Sequence, residues 1–138
     1  MTPSEAHAFA VSIFEAQPFT AFLGAELVAT EAGGATIRLP IADHHRQQHG
    51  FVHGGVLSYL ADNAITFAGG LALGGDALTA EFKINYVRPA AGEAVLAVAT
   101  AVSVGRRQAV CRCDLHVGSD GERTLCALAQ GTIVRAKG

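Results

Sequence analysis

A long apolar segment that opens on two glycines is the feature that most constrains how this chain can fold. Within residues 54–72, apolar side chains recur at the three- and four-residue spacing of one helical face: Val56, Leu57, Leu60, Ala61, Ala64, Ile65, Ala68 and Leu71. The glycine pairs at 69–70 and 74–75 weaken this helix and then end it. The pattern therefore predicts one long helix with its apolar face towards the core.

The segments around this helix read as a short helix and several strands. A helix is predicted at about residues 4–16, with Ser4 as its N-cap and Pro18 ending it. Strand patterns follow at 25–30 and 35–41, then a polar loop at 42–52, and after the long helix at 78–88, 93–104, 108–117 and 122–135. Residues 93–104 are apolar on both faces, which is typical of a central strand.

These elements predict an α+β fold in which an antiparallel sheet of five or six strands wraps around the long helix. The 138 residues make one domain. Half of them are hydrophobic and only 16% are charged, so we expect part of the surface to be buried between subunits.

Charge and composition disfavour several partners. The net charge is −2 with scattered basic residues, whereas nucleic-acid binding needs a concentrated basic surface. No apolar run long enough to span a membrane is free of glycine or charge, and the first residues lack the features of a secretory signal. The odd number of cysteines, three, indicates reduced thiols, and we expect a cytoplasmic protein.

Two features of the long helix point to chemistry. Asp62 lies in mid-helix among uncharged polar residues, where it is either a solvated side chain or a candidate base or nucleophile. The run His53-Gly54-Gly55 is either a simple helix entry capped by the histidine or an oxyanion hole built from free backbone N–H groups.

The spacing of these two features sets a geometric condition. Gly54 and Asp62 are eight residues apart, which is about 12 Å along a helix. One helix cannot bring both to the same carbonyl. A catalytic interpretation therefore requires two antiparallel copies of the helix, and hence a dimer with two composite sites.

Other candidates are weaker. His45, His49 and His53 have a spacing that would line a metal site on a helix, but Gly50 and the lack of periodicity predict a loop, so no metal site is expected. Cys111 and Cys113 share a strand face without a second pair and are expected in the core. Arg106 and Arg107 follow a glycine and are either surface charges or contacts for a phosphate.

Residues 47–64, QQHGFVHGGVLSYLADNA, resemble the hotdog-fold thioesterases of the phenylacetic-acid-degradation (PaaI-like) branch. That branch has an Asn, a short spacer, His-Gly-Gly and then Leu-Ala-Asp in its central helix. Residues 79–89, TAEFKINYVRP, are similar to the strand that follows. The resemblance implies a hotdog fold and an acyl-CoA thioesterase that needs no metal or redox cofactor. It also implies a homodimer, usually paired into a tetramer.

The resemblance also implies roles for individual residues. Asp62 would be the general base or nucleophile, and the amide of Gly54, with Gly55 beside it, would polarise the thioester carbonyl. His53 would orient the loop and Thr79 would position the attacking water. Gln47 stands where the family usually has Asn and would still donate an amide hydrogen bond. Substrate contacts would come from Asn63, Arg106 and Arg107.

Two other functions remain open at this stage. A hotdog hydratase or dehydratase would use a histidine base such as His53, and a non-catalytic acyl-CoA-binding protein would use the helix only to build the dimer. The sequence leaves the acyl group undetermined.

Overall fold

One antiparallel sheet curves around one long helix in the computed structural model, which describes residues 1–137. The elements, in chain order, are α1 (Pro3–Glu15), α2 (Pro18–Leu23), β1 (Glu26–Glu31), β2 (Gly34–Pro40), α3 (Gly54–Leu73), β3 (Ala77–Tyr86), β4 (Ala94–Val104), β5 (Gln108–Ser119) and β6 (Glu122–Arg135). The six strands lie in the order β1-β2-β4-β5-β6-β3. The sequence pattern predicts an antiparallel sheet wrapped around the helix, which the structure confirms, but not this strand order, which leaves β1 and β3 as the two edges.

The core lies between the sheet and α3. Strands β2 to β6 all contact this helix, and fully buried side chains from both sides meet there, among them Ile37, Val95, Leu115 and Ile133 from the sheet and Leu60, Ala64 and Ile65 from the helix. By length and mean hydropathy (20 residues, 1.3) α3 could also cross a membrane, but 61% of that segment is buried inside the protein. Helix α3 is therefore the core helix of the fold.

Burial of α3 extends further round the helix than one apolar face. Asn63, a polar residue next to Asp62 that lies outside the predicted apolar face, is only 8% exposed, and Phe67 is 7% exposed. The reason is that α1 and α2 cover this side, with the Phe14 and Phe67 rings 5.8 Å apart. The predicted apolar face is buried as expected, but sequence periodicity does not show that a second layer also packs against the other side of the helix.

The N-terminal helices differ from the prediction at both ends. Thr2, not Ser4, is the N-cap of α1: its hydroxyl accepts the N–H of Glu5 at 3.1 Å, and the Glu5 carboxylate accepts the Thr2 N–H at 2.9 Å. The helix ends at Glu15, before Pro18. Pro18 instead opens α2, which the sequence pattern does not predict, because proline fits the first turn of a helix.

Strand β4 is buried on one face only. Its inward residues Val95, Ala97 and Ala99 are almost inaccessible, whereas Val98 and Val102 on the outer face are 40% and 50% exposed. The prediction of a central strand is confirmed, since β4 lies between β2 and β5, but no described layer of the protomer covers its apolar outer face.

The three cysteines face the core and form no disulfide. Burial raises the pKa of Cys111 to about 11 and that of Cys113 to about 12, and it also raises the pKa of Cys126. An unperturbed thiol has a pKa of about 8.5, and the thiolate is the reactive form. In the folded protein the three thiols are therefore buried and protonated, whereas thiol reagents need an accessible thiolate.

We expect no cysteine of the native protein to react at pH 8 with a chromogenic aromatic disulfide, and all three to react in denaturant. The measurement is absorbance over an hour, with free CoA as the positive control. Rapid reaction of one thiol without denaturant would contradict the buried placement.

Candidate active site

Asp62 lies at the middle of α3 and is held by a hydroxyl from the neighbouring strand. The Thr79 hydroxyl donates to Asp62 Oδ1 at 2.5 Å. Thr66, one turn further along α3, has its hydroxyl 2.7 Å from both the Asp62 main-chain oxygen and the Thr79 hydroxyl. Asp62 and Thr79, predicted as site residues, are thus brought together across two elements. Thr66 is absent from the predicted site, although its position four residues after Asp62 on the same helix face is visible in the sequence.

An irregularity in β3 makes this contact possible. In a regular strand, residues 79 and 82 point to opposite faces because side chains alternate. The pairing of β3 with β6 shifts between Thr79 and Glu81, so that Ala80 is an extra residue in β3. As a result Thr79 faces α3 together with Phe82 and Ile84, and all three are half-buried.

The Asp62 carboxylate keeps one oxygen available. Within residues 1–137 it forms no ion pair, and its Oδ2 accepts no hydrogen bond, whereas Oδ1 is fixed by Thr79. A half-buried carboxylate with one oxygen fixed and the other free can take a proton from a water molecule or attack a carbonyl.

The N-terminus of α3 offers one free donor. His53 is the N-cap, and its Nδ1 accepts the Gly55 N–H at 2.8 Å. The Gly55 amide is therefore already used within the protomer. No described residue accepts the Gly54 N–H, so of the two predicted donors Gly54 is the one that can bind an oxyanion.

Tyr86, which is absent from the predicted site, covers this helix entry. Its hydroxyl donates to the Gly54 carbonyl at 3.0 Å and lies 2.5 Å from the Ser58 hydroxyl. A Cβ added to Gly54 would meet the Tyr86 ring at 3.3 Å. The alternating pattern of β3 places Tyr86 on the Phe82 face, but nothing in it shows that the strand runs past the start of α3.

The loop before α3 positions Gln47 and the entry of the helix. Gln47 Oε1 accepts the His49 N–H at 2.5 Å, and its Nε2 donates to no described residue. Buried His45 accepts the Ala42 N–H on Nδ1, so its Nε2 carries the proton and donates to the Leu23 carbonyl at 2.8 Å. The histidines at 45, 49 and 53 therefore do not line one helix, and His45 ties the loop to the end of α2.

The remaining predicted contacts lie elsewhere. Asn63 packs against α2, where its Nδ2 lies 3.1 Å from Gln17 Oε1 and 3.2 Å from the Tyr59 hydroxyl. Burial raises the pKa of Tyr59 in this network. Arg106 and Arg107 lie exposed in the β4–β5 turn, where their carbonyls accept hydrogen bonds from Arg135 at the end of β6.

That turn is far from the helix entry within one protomer. Arg135 pairs with Ala77 at the start of β3, and Tyr86, which contacts Gly54, is at the other end of that strand. Arg106 and Arg107 therefore lie at the end of the sheet opposite Gly54. Gly54 and Asp62 themselves are about 12 Å apart along an unbroken helix, as the spacing predicts.

Comparisons with known proteins agree with this geometry. Residues 49–124 match the sequence model of the Thioesterase superfamily. A Deinococcus radiodurans protein named as an esterase is 34% identical over 122 residues, covering 88% of this chain and 81% of that protein. The 1,4-dihydroxy-2-naphthoyl-CoA hydrolase of Listeria monocytogenes is 27% identical over 104 residues, 75% of this chain and 85% of that protein.

A solved structure is also similar. A variant of the phenylacetic acid degradation protein PaaI from Thermus thermophilus superposes with a TM-score of 0.76 at 32% identity, covering 86% of this chain and 99% of that one. The resemblance to the PaaI-like hotdog proteins is thereby confirmed. The chain belongs to the thioesterase superfamily, and it is a thioester hydrolase.

Proposed function

We propose that this thioester hydrolase acts on acyl-CoA and that each active site combines Asp62 of one protomer with the α3 N-terminus of another. The observation that carries the proposal is the Thr79–Asp62 hydrogen bond, which holds a carboxylate that lacks an ionic partner among the described residues. The CoA thioester class is the one named for the Listeria relative.

In this mechanism the Gly54 N–H and the Gln47 amide bind the thioester carbonyl oxygen and stabilise the oxyanion. Asp62 Oδ2 takes the proton of the attacking water, and the tetrahedral intermediate then expels the CoA thiolate. Direct attack by Asp62 on the carbonyl is the other route. Label found in Asp62 after a single turnover in ¹⁸O-labelled water would establish direct attack, because the mixed anhydride can be hydrolysed at the Asp62 carbonyl carbon, whereas a general base never exchanges its oxygen with the attacking water.

The dimer is supported by the β3 edge. Strand β3 pairs with β6 on one side only, and Leu78 and Tyr86 on it are 59% and 51% exposed. A two-fold axis beside this edge would join two sheets and set the two α3 helices antiparallel. Gly54 of one copy would then face Asp62 of the other, which removes the 12 Å separation found within each protomer.

The tetramer, the CoA contacts and the compartment are further parts of the proposal. The exposed valines on the outer face of β4 would be covered by a second dimer. Arg106 and Arg107, remote from Gly54 of their own protomer, would bind the CoA phosphates of a site shared with another copy. The free, buried cysteines are compatible with the reducing cytoplasm.

A composite site predicts that two inactive variants restore each other. Gly54→Pro removes the N–H without breaking the helix, because proline fits the first helical position and the His53 backbone (φ −59°, ψ 136°) suits a residue before proline. We expect Gly54→Pro and Asp62→Asn homodimers to be nearly inactive. When they are co-expressed, the mixture should regain about a quarter of wild-type turnover, since random pairing makes half of the dimers heterodimers with one intact site each; heterodimers purified through two different affinity tags should reach about half.

The assay is release of free thiol from a panel of acyl-CoAs. Gly54→Ala is the matched control, since it adds the same Cβ beside Tyr86 but keeps the N–H, and it should retain most activity. Purified heterodimers no more active than either parent would show that the site is not shared. A wild-type protein that releases no thiol from any acyl-CoA would exclude this substrate class.

A further inference from the structure

A mainly apolar cavity of about 430 Å³ lies between α1 and the C-terminal half of α3. Its volume falls within the range of about 300–1,000 Å³ that is usual for small-molecule sites. Helix α1 contributes a stripe of side chains that includes Ala6, Ala10 and Ile13. The opposite wall is formed by α3, and the end of β1 closes a third side.

The cavity begins at the candidate active site. Thr66 lines it, and the Thr66 hydroxyl also contacts the Asp62 main chain and the Thr79 hydroxyl at 2.7 Å each. From Thr66 the α3 wall continues through Phe67, Gly70 and Leu71 to Gly74, a distance of about 12 Å along the helix. A group attached to a carbonyl at Asp62 could therefore enter the cavity at Thr66 and extend along α3.

We propose that this cavity binds the acyl chain of the substrate and that α1 sets the chain length; this inference rests on the proposed acyl-CoA hydrolysis. The occupant is a linear, medium-length acyl chain, because the lining is mainly apolar and follows α3 for about 12 Å from Thr66 to Gly74, whereas an aryl ring is compact. Glycine at 70 and 74 leaves the α3 wall without side chains at those positions. Helix α1 lies outside residues 49–124, the segment that matches the superfamily model, so this wall is not part of the matched core.

The test separates binding from hydrolysis by using CoA thioethers, which have no carbonyl to cleave. Calorimetric titration compares S-octyl-CoA, S-methyl-CoA and S-benzyl-CoA on the wild type, on Ala6→Leu and on Ala8→Leu. Leucine at 6 enters the cavity, whereas Ala8 lies exposed on α1 outside it and is the matched control. In parallel, kcat/KM is measured for octanoyl-CoA and acetyl-CoA.

We expect the wild type to bind the octyl ether more tightly than the methyl and benzyl ethers. Ala6→Leu should lower the octyl-to-methyl affinity ratio, and the octanoyl-to-acetyl ratio of kcat/KM, by about tenfold or more, while Ala8→Leu leaves both ratios unchanged. Ile13→Ala, which enlarges the cavity, should shift the preference towards longer chains. Ile13→Ala therefore tests the cavity independently if Ala6→Leu disturbs the folding of α1.

The outcomes separate the two proposals. Unchanged ratios in Ala6→Leu and Ile13→Ala would overturn the cavity assignment even if the enzyme hydrolyses acyl-CoA. A benzyl ether that binds as tightly as the octyl ether would overturn the linear chain. A third outcome is that the wild type binds the thioethers in a length-dependent way, Ala6→Leu abolishes that dependence, and no acyl-CoA is hydrolysed. This outcome would support the cavity assignment and overturn the proposed reaction.

Discussion

Replacing Asp62 by asparagine is expected to lower kcat by about 10²–10⁴-fold while the protein remains folded, the range over which a positioned acid or base acts. Asparagine keeps the shape of the side chain and a carbonyl oxygen that can still accept the Thr79 hydroxyl, which lies 2.5 Å from Oδ1 in the wild type. It loses the negative charge and the basicity of the free oxygen. The substitution therefore tests the chemistry of the carboxylate rather than its contacts.

The measurement is steady-state thiol release, with the melting temperature and the oligomeric state checked alongside. Asp114→Asn is the matched control, because Asp114 is exposed on β5, and its activity should equal that of the wild type. An Asp62→Asn variant that keeps more than about half of the wild-type turnover would remove Asp62 from the mechanism, since even one lost oxyanion donor costs more. The same result would leave the fold and the family assignment untouched.

Gly131→Ala is expected to lower the free energy of unfolding by about 2–3 kcal/mol, because it overpacks a closed space. Gly131 is buried in β6, where an added Cβ would lie 2.5 Å from both the Glu81 carbonyl oxygen and the Phe82 Cβ, and 2.8 Å from Ile65 Cδ1. The two nearest atoms, the Glu81 carbonyl oxygen and the Phe82 Cβ, are fixed by the backbone of β3. Rotation of a side chain therefore cannot relieve the contact. Strand β3 must move away from β6.

For a chain of this size that loss corresponds to a melting temperature lower by roughly 10 °C. Gly105→Ala is the control, because an added Cβ there meets only the Gln108 carbonyl oxygen at an ordinary 3.5 Å. Since Glu81 adjoins the extra residue of β3, we also expect Gly131→Ala to weaken the Thr79–Asp62 contact and reduce turnover. Equal melting temperatures for Gly131→Ala and the wild type would show that the strands separate at little cost.

The sequence predicts the elements of this fold well wherever local hydrophobic periodicity alone determines the element. The central helix, its glycine end and the strand patterns depend on local periodicity, and the structure confirms their positions to within about two residues, the usual uncertainty of such boundaries. Pro18 is ambiguous in the sequence because proline both ends helices and begins them, and only the packing of α2 on α3 decides between the two.

The candidate site could be predicted only in part. The resemblance to PaaI-like proteins implies that Asp62 and Thr79 belong to one site, and the structure places their side chains in contact. Periodicity alone would have separated them, because the odd spacing from Thr79 to Phe82 assigns these residues to opposite faces. Asn63 shows the converse: it neighbours Asp62 in sequence, but helical geometry turns it towards α2 and into a buried polar network.

The extra residue in β3 also matters for anyone who wishes to transplant this site. Because Ala80 is an extra residue, the inward-facing positions are odd-numbered before it and even-numbered after it. The same strand can therefore direct Thr79 at Asp62 and Phe82 and Ile84 into the core. Residues 79–82 and Gly131, the glycine paired with Phe82 on β6, therefore have to be kept together. A graft that copies Asp62 and Thr79 onto a regular sheet would deliver both residues with the threonine pointing into solvent.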